Sequence, residues 1–320
     1  MAVSTASRET EGMAETPLSG SVALVAGATR GAGRALAVEL ARAGAFVHAS
    51  GRSSRTSGAS EIERPETIED TLDLVREAGG DGVAERVDHT RPEEVRALVE
   101  RIRERHGRLD VLVNDIFGGD RYAQFGTPLW EHDLEGGLRM LRMGIDTHVI
   151  TSALALPLVL ESGGGLLVEM TDGPSEVNRE YRQGVGFYYD YVKGCIDRLI
   201  TSLSAELAEQ PVTVVGVTPG WLRSEAMLEA FGVTEETWAE AAERVPGFGA
   251  SETPTYVVRG VAALAADAGA ARHHGAVLTA RQLSDAYGVT DVDGSHPDCW
   301  GLIRDLGWED QPMGILPDYR

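Results

Sequence analysis

Val22–Gly33, the stretch VALVAGATRGAG, joins an apolar run to three closely spaced glycines. The run is typical of a strand buried inside a sheet, and glycine lets a chain turn tightly and brings its backbone close to a ligand. A helix beginning near Gly31 directs its unpaired N–H groups and the positive end of its dipole at that turn, where a phosphate binds well. The spacing, G-x-x-x-G-x-G, matches the general dinucleotide fingerprint only loosely. Taken alone, the stretch fits a phosphate cradle and a ligand-free turn equally well.

A second stretch, Tyr189-Asp190-Tyr191-Val192-Lys193, lies far downstream inside a helical pattern. Tyr189 and Lys193 are four residues apart, so a helix places them on the same face. A phenol has a pKa of about 10 in water, too high for easy proton exchange at neutral pH, and a neighbouring ammonium lowers it. Such pairs often arise by chance, but the position after the glycine turn and before Pro219-Gly220 favours catalysis. The sequence therefore predicts Tyr189 as a proton donor assisted by Lys193.

Five segments, taken in order, resemble the short-chain dehydrogenase/reductase family. They are the glycine turn with Ala26 where the family has threonine, Asp88 after a strand-like run, Asn114 at the start of the family's NNAG segment, the pair Tyr189 and Lys193, and the turn Pro219-Gly220. The resemblance extends from Ser21 to Ala280, and the tail from Leu278 to Gly294 resembles a subgroup related to dehydrogenase/reductase member 1. It implies hydride transfer between a nicotinamide cofactor and a carbonyl or alcohol.

The resemblance implies an α/β fold, a Rossmann-type doubly wound parallel sheet of about seven strands with helices on both faces, and the alternating strand-like and helix-like segments agree. The predicted strands are Ser21–Ala26, Ala45–Ala49, Gly82–Asp88, Val111–Asn114, Gly165–Met170, Val212–Val217 and Ala276–Thr279. The predicted helices are Gly33–Ala43, Pro65–Ala78, Pro92–His106, Leu134–Leu160, Tyr188–Glu209 and Thr255–Ala266, with Pro65 and Pro92 in first turns. We expect a disordered tail over 1–18, a single domain over 19–283 with a substrate lid over 221–250, and a C-terminal extension over 284–320.

The end of the predicted second strand bears on the choice of cofactor. NAD-preferring proteins of this fold place Asp or Glu there to bind the ribose 2′-hydroxyl, whereas this chain has Ser50-Gly51-Arg52. Arg52 and Arg30 can grip a 2′-phosphate through parallel hydrogen bonds, and no carboxylate is placed to repel it; the alternative is that both are solvated surface residues. We predict NADP(H). The predicted cofactor-binding residues, most of them implied by the resemblance, are Gly27, Thr29, Arg30, Gly31, Gly33, Arg52, Asp88, Asn114, Lys193, Pro219, Gly220 and Ser224.

The resemblance also assigns catalytic roles. In the family, the tyrosine matched by Tyr189 protonates the carbonyl oxygen as hydride arrives, and the lysine matched by Lys193 also holds the nicotinamide ribose. The family's asparagine, which helps to carry a water-linked proton path, falls on Gly144. That path must therefore be rebuilt or absent.

Three residues compete for the place of the family's catalytic serine. Aligned through the predicted strand Gly165–Met170, the place falls on Asp172 with Thr171 beside it, whereas counting back from Tyr189 reaches Ser175. An ionised Asp172 would repel a developing alkoxide and raise the pKa of Tyr189, while a protonated Asp172 would donate the hydrogen bond that serine donates. The sequence alone leaves the three candidates open.

The intact pair Tyr189 and Lys193 favours an NADP(H)-dependent carbonyl reductase or alcohol dehydrogenase. Gly144 and Asp172 keep two other functions open. One is a non-redox lyase or isomerase with Asp172 as general base. The other is an NADP(H)-binding regulator or scaffold whose chemistry has lapsed.

Composition narrows the partners and the location. The 320 residues, 42% hydrophobic, suffice for one large core, and a net charge of −21 argues against nucleic-acid binding. Cys195 and Cys299 form no paired motif, which indicates a reducing compartment. The histidines lack metal-ligand spacing, and the richest apolar stretch, Val149–Leu160, is too short to span a bilayer. We expect a cytoplasmic protein with a small-molecule carbonyl or alcohol substrate and no metal or membrane; the resemblance implies a homodimer or homotetramer through the helices Leu134–Leu160 and Tyr188–Glu209.

Overall fold

Seven strands form the centre of the fold, in the spatial order β3-β2-β1-β4-β5-β6-β7. The structure, a computed structural model, describes residues 16–320, so most of the tail predicted over 1–18 lies outside the described residues. The strands are β1 (Val22–Ala26), β2 (Phe46–Gly51), β3 (Asp81–Arg86), β4 (Val111–Asn114), β5 (Gly165–Met170), β6 (Val212–Thr218) and β7 (Val277–Thr279). All neighbouring strands pair in parallel. The order reverses between β1 and β4, which is where such sheets bind ligands.

Helices connect the strands and cover the sheet. The α-helices are α1 (Gly31–Arg42), α2 (Ile68–Glu77), α3 (Pro92–His106), α4 (Leu134–Leu141), α5 (Thr147–Glu161), α6 (Ser175–Asn178), α7 (Phe187–Glu206), α8 (Glu225–Phe231), α9 (Trp238–Ala242), α10 (Pro254–Ala266), α11 (Ala280–Tyr287) and α12 (Cys299–Leu306). A π-helical segment, Arg142–Asp146, joins α4 to α5.

The side chains of β1 divide between two cores, one on each face of the sheet. Ala23 and Val25 pack with residues of α1, α2, α10 and α11. Val22 and Leu24 pack with residues of α3, α5 and α7. Because helices cover both faces, β1 is apolar throughout, and the predicted doubly wound α/β fold is confirmed.

Capping residues explain where two of the helices begin and end. α3 occupies the predicted residues, with Pro92 in its first turn and Gly107 at a φ of 68° after its last residue. α2 begins later than predicted, because Thr67 and Asp70 form a reciprocal capping box before Ile68. Pro65 therefore precedes the helix, and its predicted place in the first turn is wrong.

α4, the π segment and α5 form one continuous stretch, Leu134–Glu161, where the sequence predicted a single α-helix. It is 28 residues long and contains an 18-residue window with a mean hydropathy of 1.5, so it is long and apolar enough to cross a membrane, which the sequence analysis did not expect. Half of the apolar window is buried inside the protein, with Leu158 and Val159 in the core. Since buried core helices share this length and composition, the stretch is weak evidence for a membrane span.

The chain after β7 stays with the main core for one more helix. The boundary expected between residues 283 and 284 falls inside α11, where Leu283 is fully buried against Gly260 of α10. The name C-terminal extension is therefore kept here for the chain after Tyr287, which follows α11. This extension contains α12, which the sequence analysis did not predict and which packs against Trp221 through Cys299, Trp300 and Ile303.

Candidate active site

A cavity of about 720 Å³ opens at the carboxyl ends of the central strands. Gly27 after β1, Asp115 after β4, Asp172 after β5 and Pro219 after β6 all line it. The cavity therefore lies at the point where the strand order reverses, the usual ligand site of such a sheet.

The glycine turn is built for close backbone approach. Gly27 has a φ of 94°, and a Cβ there would lie 2.2 Å from the carbonyl oxygen of Asp115. A Cβ on Gly33 would lie 2.3 Å from the carbonyl oxygen of Gly27, so Gly33 lets α1 approach β1 although it does not itself line the cavity. Thr29, Arg30 and Gly31 do line it. The turn and the α1 N-terminus fit the diphosphate of a dinucleotide.

A carboxylate from the lid region already contacts this N-terminus. The Gly31 N–H donates a hydrogen bond to Glu225 Oε2 at 2.9 Å, and Arg34 Nη1 lies 3.3 Å from Glu225 Oε1. Glu225 begins α8, nearly two hundred residues away in the chain. The sequence analysis missed it because nothing local to Glu225 marks the contact.

The predicted adenosine end of the cavity holds both arginines, but in different surroundings. Arg52 Nη1 lies 3.6 Å from Glu61 Oε1, and Arg139 binds the same carboxylate at 2.9 and 2.8 Å. The expectation that no carboxylate lies near Arg52 is therefore wrong, since a long loop brings Glu61 to it. Within residues 16–320, the guanidinium of Arg30 makes no ion pair, and burial lowers its pKa. Asp88 also lines the cavity and accepts a hydrogen bond from the Thr90 hydroxyl at 2.7 Å.

The structure places Asn114, a predicted cofactor contact, in the core, and its neighbour Asp115 in the cavity wall. The Asn114 amide is fully buried and donates to Ser152 Oγ at 2.8 Å and to Glu169 Oε1 at 2.9 Å, so its side chain belongs to the core and not to the cavity wall. Asp115 does line the cavity, and burial raises the pKa of its carboxyl to about 7, against the opposing charge of Lys193. A carboxyl that titrates near neutral pH thus lies beside the glycine turn.

The hydroxyl of Tyr189 donates a hydrogen bond to Asp172 Oδ2 at 3.1 Å. Arg182 Nη1 lies 3.2 Å from the same oxygen, and Arg182 Nε donates to Asp190 Oδ1 at 3.1 Å. The Arg182 side chain is only 5% exposed. Burial, and then the charge of Asp172, raise the pKa of Tyr189 well above its ordinary value. Arg182, which the sequence analysis missed, partly offsets that charge.

Of the three candidates for the serine place, only Asp172 forms a hydrogen bond with Tyr189 within the described residues. Thr171 lines the cavity, but its buried hydroxyl has no hydrogen-bond partner among residues 16–320. Ser175 donates to Asp197 Oδ1 at 2.5 Å and does not line the cavity. The geometry therefore favours Asp172 as the neighbour of the predicted proton donor.

Lys193 presents a cation beside Tyr189. Its Nζ lies 4.1 Å from the ring centroid of Phe117 and 5.4 Å from that of Tyr189, and no hydrogen bond of this ammonium is found among residues 16–320. Burial lowers the pKa of Lys193. At Gly144, in the π segment, a Cβ would lie 2.5 Å from Val192 Cγ1 and 3.2 Å from Phe117 Cδ2. Phe117 and Val192 thus fill the space that a larger side chain at residue 144 would need.

The remaining predicted cofactor contacts lie after β6. Pro219, Gly220 and Ser224 line the cavity, and the Gly220 N–H donates to Glu252 Oε2 at 2.9 Å. Ser224 caps α8. The aromatic and apolar side chains of the cavity wall include Phe117, Phe125, Val185, Trp221, Met227, Trp300, Ile303 and Trp308.

Fold and cavity together define a class, the α/β proteins that hold a dinucleotide at the switch point of a parallel sheet. A family model described as short chain dehydrogenase matches residues 21–232. The chain is 30% identical over 306 residues to "Dehydrogenase/reductase SDR family member 1" of Mus musculus, covering 91% of this chain and 92% of that protein. The chain belongs to the short-chain dehydrogenase/reductase family, near the member 1 subgroup.

More distant relatives agree. Over 212 residues the chain is 28% identical to "7alpha-hydroxysteroid dehydrogenase" of Clostridium sardiniense, covering 66% of this chain and 74% of that protein. In fold it is similar to a 7α-hydroxysteroid dehydrogenase solved with NADH and 7-oxo glycochenodeoxycholic acid, with a TM-score of 0.67 at 21% identity over 89% of this chain and 98% of that one. The chain is thus an oxidoreductase of a family whose general chemistry is hydride transfer between a nicotinamide nucleotide and a carbonyl or alcohol.

Proposed function

We propose that this protein is an NADP(H)-dependent oxidoreductase that interconverts a carbonyl and an alcohol, with Tyr189 as general acid and base. The observation that carries the proposal is the pairing in one cavity of Tyr189 and Lys193, whose ammonium forms no hydrogen bond among residues 16–320. Family membership supports the reaction class.

In the direction of reduction, a bound nicotinamide supplies the hydride. The Tyr189 hydroxyl gives its proton to the substrate oxygen, and the Lys193 ammonium favours the phenolate that this leaves. Asp172 orients the hydroxyl through its hydrogen bond and opposes the phenolate through its charge. Arg182 weakens the repulsion between Asp172 and the phenolate, because its guanidinium binds the same carboxylate oxygen of Asp172.

Asp172 also offers the phenolate a way to regain its proton. The side chain of Asp172 is 32% exposed, so its carboxylate can take a proton from water and pass it to Tyr189 through their shared hydrogen bond. A proton path through residue 144 has no side chain to use, and Phe117 and Val192 occupy that space. We therefore assign proton return to Asp172.

The preference for NADP(H) rests on Arg30. Its guanidinium lines the cavity without an ion pair among residues 16–320, and β2 ends in Ser50-Gly51 with no acidic residue. Arg52 contributes less than the sequence indicates, because Glu61 already neutralises part of its charge. Titration of the protein with NADPH and NADH, followed by tryptophan quenching, tests this preference.

A non-redox lyase or isomerase is the second candidate, because the partly exposed carboxylate of Asp172 lies in the cavity and could act as a base. The two reactions differ in cofactor balance. A carbonyl screen with NADPH decides between them: reduction oxidises one NADPH for each alcohol formed, whereas a lyase or isomerase forms product with no net NADPH oxidation.

We also propose a homo-oligomer assembled through α4, α5 and α7. Leu134, Leu138, Val149 and Tyr191 are exposed apolar or aromatic side chains on these helices. Covering them in a second copy would remove apolar surface from water. Light scattering of the purified protein measures the number of copies directly.

A further inference from the structure

The C-terminal extension supplies one wall of the candidate active site. Its helix α12 and the loop after it lie beyond residue 232, where the match to the family model ends. The residues of this segment that line the cavity are Cys299, Trp300, Ile303, Trp308 and Gln311. None of them has a role in the reaction proposed above.

Trp300 ties this wall to the turn after β6. The indole is 9% exposed, and its Nε1 donates a hydrogen bond to the carbonyl oxygen of Pro219 at 2.7 Å. At Gly220, a Cβ would lie 2.7 Å from Cys299 Cβ, so α12 packs directly on the turn. The same carbonyl also accepts from the Thr218 hydroxyl at 3.0 Å. Separating the buried Trp300 indole from it would leave the N–H donor without a partner, which costs free energy.

The loop after α12 is fastened to the lid region in turn. The Gly247 N–H donates to the carbonyl oxygen of Pro312 at 2.9 Å, and the Gly314 N–H donates to that of Ala242 at 2.8 Å. Arg320 lies over the Trp238 ring, with its guanidinium carbon 4.7 Å from the centroid. The lid and the C-terminal wall therefore form one packed unit.

The chemistry of this unit indicates what it contacts. Trp308 is 52% exposed, and its ring packs edge-on against Trp300 with centroids 6.2 Å apart. Beside Tyr189, Phe117 and Phe125 contribute two more rings, with centroids 5.6 and 6.4 Å from the tyrosine ring. Aromatic faces and edges of this kind favour flat, apolar ring systems.

The charged groups near Tyr189 argue against an anionic substrate. The cation of Arg182 is shared between Asp172 and Asp190, so two carboxylates surround it. Asp120, which also lines the cavity, adds a third carboxylate against the two cations Arg182 and Lys193. A further carboxylate or phosphate on the substrate would therefore meet a net negative neighbourhood.

We propose that Trp300 and Trp308 of the C-terminal extension select the substrate, and that it is a neutral ketone, or the matching alcohol, carried on a flat ring system of at least two fused rings. This inference rests on the proposed function. Trp308 contacts the ring system at the cavity mouth, and Trp300 holds the wall against the Pro219–Gly220 turn.

The test compares two neutral ketones, bicyclic 2-tetralone and monocyclic cyclohexanone, with NADPH as reductant. In the Trp308→Ala variant, the ratio of kcat/KM for 2-tetralone to that for cyclohexanone falls about tenfold, since one aromatic contact is lost for the larger ring only. Trp130→Ala is the matched control, because Trp130 is 83% exposed and does not line the cavity. In that variant the ratio stays as in the wild type.

Trp300→Phe tests whether the hydrogen bond to Pro219 holds the wall in place. It keeps an aromatic ring, so loss of packing is small, and it removes the N–H donor. It raises the KM for 2-tetralone, and Tm measurements check that the fold is kept. Trp308→Leu repeats the first test with apolar bulk retained, and it again lowers the ratio. A ratio unchanged in Trp308→Ala and Trp308→Leu, or lowered equally in Trp130→Ala, overturns the proposal.

A binding measurement separates this inference from the proposed function. Calorimetry measures the Kd of 2-tetralone for the protein saturated with NADP⁺. One outcome is that no ketone is reduced but 2-tetralone binds, with binding weakened about tenfold in Trp308→Ala and unchanged in Trp130→Ala. That result supports substrate selection by the C-terminal wall and contradicts the proposed reaction. If the wild type reduces small ketones but neither binds nor reduces 2-tetralone, selection of fused-ring ketones by the wall is contradicted and the proposed reaction is supported. If the wild type neither binds 2-tetralone nor reduces any ketone, both the substrate proposal and the proposed reaction are overturned.

Discussion

Tyr189 and Asp172 are joined by a hydrogen bond of 3.1 Å, so the group beside the predicted proton donor is a carboxylate. A negative charge at this place makes the phenolate harder to form. Arg182, held at 3.2 Å from the same oxygen, is the compensating cation. The charges of Asp172 and Arg182, together with that of Lys193, therefore set the proton affinity of the Tyr189 hydroxyl.

Replacing Asp172 by asparagine shifts the pH dependence of alcohol oxidation. Oxidation needs the phenolate, so kcat/KM rises as pH rises through the pKa of Tyr189. Because the charge of Asp172 raises that pKa, Asp172→Asn moves the rise to lower pH. Steady-state rates over a pH series measure the shift. Asp190→Asn is the control, since Asp190 pairs with Arg182 without a hydrogen bond to Tyr189; an equal shift in both variants would contradict a specific role for Asp172.

Replacing Arg182 by leucine has the opposite effect. The charge of Asp172 then stands uncompensated beside Tyr189, which raises the pKa of the phenol further, and kcat falls about 10- to 100-fold. The double variant Arg182→Leu/Asp172→Asn recovers part of the loss, because the charge that Arg182 offset is gone. A double variant that is as slow as Arg182→Leu alone argues for structural damage instead.

Cofactor affinity should fall as pH rises through about 7, because Asp115 changes charge there. Below that pH the carboxyl is neutral; above it the carboxylate repels the phosphates that the neighbouring glycine turn would hold. The Kd of NADPH, measured by tryptophan quenching across this range, shows the rise. Asp115→Asn flattens the dependence, and a wild-type Kd that is constant across the range rules out this account of Asp115.

Glu225 accepts the hydrogen bond of the Gly31 N–H, a donor that a bound diphosphate would use, so we expect Glu225 to weaken cofactor binding. Glu225→Gln removes a negative charge from the α1 N-terminus and tightens NADPH binding about three- to tenfold. Glu229→Gln is the matched control, because Glu229 lies on the same helix, pairs with Arg64 and is mostly exposed. Equal Kd values for the wild type and Glu225→Gln would show that the contact costs the cofactor nothing.

Much of the fold follows from periodicity and turn residues. The sequence predicts α3, β4 and β5 to the residue, because Pro92, the glycines and continuous apolar runs mark their ends. It misses α6, α8, α9, α11 and α12, which are four to eight residues long and carry too little periodicity to be recognised. The π segment has no sequence mark of its own either.

The candidate site divides in the same way. Tyr189, Lys193 and the glycine turn are predicted because their spacing within one element carries the information. Glu225, Glu61 and Arg182 are missed, because each reaches the cavity from a loop or a distant helix and only the tertiary fold brings it there. Asn114 shows the reverse, since its motif position predicts a cofactor contact while the fold gives its side chain to the core.

The most direct measurement of the central claim follows a label from cofactor to product. NADPH carrying deuterium at the transferable position of the nicotinamide is incubated with the protein and a ketone, and the alcohol is analysed by mass spectrometry. We predict that the wild type places one deuterium on the carbinol carbon. Tyr189→Phe should still bind NADPH, but its rate of product formation should fall by about 100-fold or by a larger factor. Product without deuterium, or equal turnover by Tyr189→Phe, would contradict hydride transfer with Tyr189 as the proton donor.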